Sequence, residues 1–78
     1  MSLTAEDLIR FIRDELNVED DIAADSELFS TAILDSVAMM NIIAFVEEKA
    51  AIEVRPADVT LENFDTVQSI VDYAREQA

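Results

Sequence analysis

The chain offers one place where chemistry could happen, the pair Asp35-Ser36 in the run Leu34-Asp35-Ser36-Val37. It stands between a loop and ten residues, Val37 to Val46, whose only clearly polar member is Asn41. That junction puts a primary hydroxyl on the first turn of an apolar helix, beside a carboxylate. The chain has no Cys and no His. The thiolate nucleophile and the commonest general base are both missing, and a serine without a base is inert. An enzyme built on Ser36 and Asp35 is therefore disfavoured, and a site at which something is attached to Ser36 is the better reading. The ordinary alternative is a plain serine at a helix start.

Length and composition narrow the choice. Seventy-eight residues make one small domain, taken as 1–78. Disulfides are impossible and a Cys or His zinc site is excluded, so aliphatic packing must supply the core. Hydrophobic residues are 51% of the chain, enough to fold. Asp and Glu number 18 against 5 Lys and Arg, a net charge of −13. That charge repels nucleic-acid phosphates and anionic membranes and favours basic protein surfaces. The N-terminus turns acidic at once, unlike a signal peptide, and no apolar stretch reaches membrane-spanning length. A cytoplasmic monomer is expected. Glu19, Asp20, Asp21 and Asp25 could hold a divalent ion, but such clusters are usually solvated loops, and no metal site is assigned.

The elements that must position Ser36 are legible from periodicity. Thr4 with Asp7 resembles a capping box, and Leu8, Ile9, Ile12 and Leu16 recur at helical spacing with Phe11 beside them, predicting a helix over 4–16. A long connection follows from Asn17 to Ala32, pinned by Ile22, Leu28 and Phe29. The second helix is expected from Ser36 to about Lys49, with Asp35 as N-cap and a hydrophobic staple between Leu34 and Met39. Ile52-Glu53-Val54 reads as an extended segment packing Ile52 and Val54 inward, because no second strand could pair with it. Pro56 stops any helix before it. Thr60 to Phe64 suggests one helical turn. Asp65, with Gln68 three residues on, is expected to cap a last helix with Val67, Ile70, Val71 and Ala74 on its stripe and Tyr73 beside it. Three longer helices, one short helix and a long first loop make an all-α four-helix bundle.

On the second helix, Met39, Ile42, Ile43 and Val46 fall on one side and Val37, Met40 and Ala44 on the other. If the first set is buried, the second forms an exposed apolar strip, edged by Asn41 and Glu48 on one side and Glu47 on the other. A helix buried nearly all round is the alternative. Met39, Ile43 and Phe45 could line a channel or merely fill it.

The pattern resembles the acyl and peptidyl carrier proteins, in particular the free-standing type. The resemblance rests on Leu34-Asp35-Ser36-Val37, on Val46-Glu47-Glu48, on Ile52-Glu53-Val54 with Pro56, and on Asp65 to Tyr73, and it spans nearly the whole chain. It implies that Ser36 carries 4′-phosphopantetheine, transferred from coenzyme A by a magnesium-dependent phosphopantetheinyl transferase. Acyl or aminoacyl groups would ride on the thiol of that arm and be delivered to partner enzymes. It also implies that Asp35 helps the transferase recognise the serine, and that Val37, Met40, Asn41, Ala44 and Glu48 are read by partners. Two departures stand out. The family usually has Gly two or three residues before the Asp, where this Gly-free chain has Ala32 and Ile33. Carriers of primary fatty-acid synthesis usually place acids where Ala38 and Asn41 stand. The pattern leans to a carrier loaded by an acyl- or aminoacyl-adenylating ligase and served by downstream transferases in a specialised pathway. A fatty-acid carrier and an unmodified acidic helical adaptor are the alternatives.

Overall fold

The computed structural model describes residues 3–16, 18, 22–31 and 34–77. Their order is helix α1 (Ala5–Glu15), helix α2 (Ser36–Ala50), a 3₁₀ helix (Pro56–Asp58), helix α3 (Leu61–Phe64) and helix α4 (Val67–Gln77), with no strand among the described residues. It is an all-helical bundle with three longer helices and one short one, as the periodicity predicts.

Each α-helix begins where a side chain can satisfy an amide left unpaired at its start. The Thr4 hydroxyl accepts from the Asp7 amide at 3.1 Å and starts α1, with Glu6 and Asp7 at the positive end of its dipole. Asp35 starts α2 in the same way, Oδ1 accepting from the Ala38 amide at 2.9 Å. Thr60 starts α3.

The last helix departs from expectation. Asp65 does not cap it. The Thr66 hydroxyl accepts from the Ser69 amide at 3.0 Å and takes that role. Asp65 closes α3 instead, and its carboxylate turns toward the first loop. Adjacent Asp and Thr can each cap a helix, and their spacing alone does not decide between them.

The end of α2 has its own device. Ala51 adopts left-handed backbone, φ 56° and ψ 46°, the one positive φ among the described residues. This lets the Ile52 amide donate back to the Glu47 carbonyl at 3.2 Å, five residues earlier, and stops the helix. The Glu47 side chain then accepts from the Val54 amide at 2.9 Å and ties the extended segment to α2. Val54 is buried and Ile52 packs beside it. Beyond them Pro56 opens the 3₁₀ helix, which the sequence suggested only as a helix stop.

Helix α4 packs against α1, α2 and α3 and centres the core. Leu8 and Ile12 of α1, Ile42 and Val46 of α2, Phe64 of α3, and Val67, Ile70 and Val71 of α4 are all but sealed from water. Each such side chain contributes about 1.5–3 kcal/mol. The loop pins Ile22 and Leu28 are buried with them, and Phe29 is half-buried. Tyr73 is also buried; its hydroxyl donates to Asp58 Oδ2 at 2.7 Å, so the buried phenol keeps a partner and holds the 3₁₀ helix onto α4.

Candidate functional site

Ser36 is the first residue of α2 and is exposed. Among the described residues its hydroxyl has no hydrogen-bond partner. Asp35, also exposed, has extended backbone, and its bond to the Ala38 amide fixes the carboxylate across the start of the helix. The first turn of α2 carries no acidic residue, although the chain is rich in them. A negative group added at Ser36 would meet the positive end of the helix dipole, with the capping Asp35 carboxylate next to it in the chain.

Along α2, Val37 is 65% and Met40 71% exposed, and Ala44, Asn41 and Glu48 are exposed with them. The opposite face is Ala38, Ile42, Val46 and Ala50, all buried, with Met39 and Ile43 only partly so. Ala38, which the helical period sets in line with Ile42 and Val46, belongs to the core side at 9% exposure; a carboxylate there would be pressed against apolar neighbours. One detail differs from the periodicity argument. Glu47 is half-buried and engaged by the Val54 amide, so it acts within the fold rather than as an acidic border of the strip. Phe45 stacks on Phe11 of α1, ring centroids 4.2 Å apart, which accounts for an aromatic ring on the flank of the helix. Leu61 of α3, 55% exposed, is a further outward apolar side chain that the sequence reading did not single out.

The loop before Ser36 is held by one residue of the α3–α4 corner. Asp65 Oδ1 accepts from the Phe29 amide at 2.8 Å and the Ser30 amide at 2.9 Å, and Oδ2 from the Ser30 hydroxyl at 2.6 Å. The Asp65 carbonyl accepts from the Leu28 amide at 2.6 Å. The Ser30 hydroxyl, with the Ser30 and Phe29 amides, holds the Asp65 carboxyl below its usual range, against the opposing effect of its partial burial. Ala32 and Ile33, the places where glycine would be usual, lie outside the described residues. So do Glu19, Asp20 and Asp21 of the acidic stretch, and among the described residues no group of three ligating side chains could hold a metal ion. No helix among the described residues is long and apolar enough to cross a membrane.

A family model, the phosphopantetheine attachment site, matches residues 6–74. The chain belongs to this family. No curated protein matches it. Members of the family attach 4′-phosphopantetheine covalently and act as carriers, not as catalysts. The match takes in α1 from Glu6 on, α2, α3 and most of α4. Within the matched segment, the start of α2 presents an exposed primary hydroxyl with no hydrogen-bond partner among the described residues and no acid in the first turn of the helix.

Proposed function

We propose that Ser36 is the attachment residue and that the chain, as one carrier domain over 1–78, ferries acyl or aminoacyl groups as thioesters between partner enzymes in the cytoplasm. The observation that carries this reading is the exposed Ser36 hydroxyl at the tip of α2, inside the matched segment. In the loading step a phosphodiester bond forms at the Ser36 oxygen as the pyrophosphate of coenzyme A breaks. The nucleotide half leaves, and the hydroxyl proton passes to a base on the transferase. Asp35 orients Ser36 through the cap and presents a charge for the magnesium-dependent transferase to read. The attached arm supplies the thiol that this Cys-free chain lacks.

Val37, Met40, Asn41, Ala44 and Glu48 form the face that partners read. It is apolar at its centre, and Glu48 is its one carboxylate. That composition favours docking by apolar contact with a light ionic border. It therefore favours an acyl- or aminoacyl-adenylating ligase as the loading partner over the ionic recognition expected of primary fatty-acid synthesis.

The test is incubation with coenzyme A, magnesium and a broad phosphopantetheinyl transferase, followed by intact mass. One phosphopantetheine is expected on the wild type and none on Ser36→Ala; no adduct on the wild type refutes the reading. Carrying the loaded protein into a ligase assay with Met40→Glu tests the docking face. Turnover should fall with the helical spectrum unchanged, and unaltered turnover would remove Met40 from that face.

A further inference from the structure

We infer that Asp65 is a positioning residue for modification at Ser36, acting by holding the loop that leads into α2. This rests on the reading of Ser36 as the attachment residue. Among the described residues, Asp65 is the one group outside residues 27–34 that hydrogen-bonds to them, and it does so four times: with its carbonyl to Leu28, and with its carboxylate to the amides of Phe29 and Ser30 and the hydroxyl of Ser30. The constraint passes on toward Ser36. The Leu34 amide donates to the Leu28 carbonyl at 2.9 Å, so the peptide groups on both sides of Leu28 are engaged. Leu28 and Leu34 are both buried, and Ser36 follows Leu34 by two residues. Within the loop the Thr31 hydroxyl donates to the Glu27 carbonyl, which tightens the same turn.

The loop has no glycine to give it a tight turn by backbone freedom. A carboxylate from another part of the bundle supplies the definition instead, with two charge-assisted amide bonds and one to a hydroxyl. Without it, Leu28 and Leu34 would still anchor the loop by burial, and the Leu28 amide would keep its backbone partner. The loop would loosen, not unfold. A transferase that binds one arrangement of Asp35 and Ser36 would then find it in a fraction of molecules. Its apparent affinity falls by that fraction while turnover at saturation is kept.

The experiment compares transferase kinetics on wild type, Asp65→Asn and Ser30→Ala, well below each protein's unfolding temperature, with Ser36→Ala as the blank. Asp65→Asn should raise KM about five- to tenfold with kcat within about twofold, and Ser30→Ala, which removes one of the three side-chain bonds, should raise KM about two- to threefold. Amide chemical shifts of Ser36 and Val37 should move in both variants while those of α4 beyond Ser69 stay in place. Unchanged KM and unchanged Ser36 shifts overturn the inference. So does a loss of modification that merely follows the unfolded fraction seen by circular dichroism. Should Asp65→Asn fail to fold, Ser30→Ala decides alone. A wild type that takes no adduct, or a Ser36→Ala that does, would strike the attachment reading instead, and the controls separate the two failures.

Discussion

At Asp35 the proposed function places two demands on one carboxylate. The helix needs an acceptor for the Ala38 amide, which Oδ1 supplies at 2.9 Å; a modifying enzyme would need a charge beside the serine. Asn meets the first demand and not the second, because it keeps an oxygen at the same place without the charge. Asp35→Asn should therefore unfold within a few tenths of a kcal/mol of wild type, and Asp35→Ala about 1 kcal/mol lower. Transferase kcat/KM should fall about tenfold or more in both, as expected for losing a charge-assisted contact. The check is a urea titration alongside steady-state kinetics. An Asn variant modified like wild type would leave Asp35 as a cap and nothing more. Asp65 shows the other side of the same point. Its type and its spacing to Gln68 fit a cap, yet the carboxylate went to a partner more than thirty residues away in sequence. Local spacing speaks for bonds closed within a turn. It is silent on bonds closed by the tertiary fold.

The helices were legible because their signals are local. Thr4 and Asp35 each precede an apolar period, and each caps a helix in the structure. The burial of Ile42 and Val46 against the exposure of Val37 and Met40 follows from the helical period alone. The joints between helices were less legible. The 3₁₀ helix is too short to show a period, and Glu47 binds the Val54 amide through a chain reversal that starts at Ala51. A reversal of that kind usually marks itself with glycine, and this chain has none. Alanine in left-handed backbone costs about 1–2 kcal/mol. Glycine removes that strain, although the unfolded chain recovers about 0.4–1 kcal/mol of entropy against it. Ala51→Gly should then stabilise the protein by about 0.5–1 kcal/mol. The measurement is a urea midpoint, which should rise with the slope unchanged. A lower midpoint would mean that the strain at Ala51 is smaller than the entropy glycine returns to the unfolded chain.

Charge acts on the molecule as a whole. With a net −13, the folded chain repels itself, and attractive pairs do little to offset it. Among the described residues, Arg10 with Glu6 at 3.4 Å and with Asp7 at 3.9 Å are the ion pairs; Arg10 and Glu6 lie largely in solvent. Exposed pairs of this kind are worth little, so screening removes more repulsion than attraction. Salt should therefore raise the unfolding temperature. Acid works through two opposed effects. Protonating surface carboxylates relieves repulsion, but Asp65 has its pKa lowered by folding, chiefly through the Ser30 hydroxyl. Its contribution is complete above the ordinary value of 3.8 and is lost as pH falls through the lower folded value. Tyr73 sets the alkaline side. Burial first, then Asp58, raises its pKa, so its contribution is complete below 10.0 and is lost as pH rises through the folded value. Raising NaCl from about 0.01 to about 1 M shortens the Debye length from about 30 to about 3 Å and separates these effects. In low salt, relief of repulsion should mask part of the acid edge. In high salt the edge should stand clear below about pH 4 in the wild type and be shallower in Asp65→Asn. Thermal unfolding across pH at both salt levels reads all of this. A wild type destabilised by salt at neutral pH would show that its few ion pairs outweigh its self-repulsion, and an acid edge identical in Asp65→Asn would place the responsible carboxyl elsewhere.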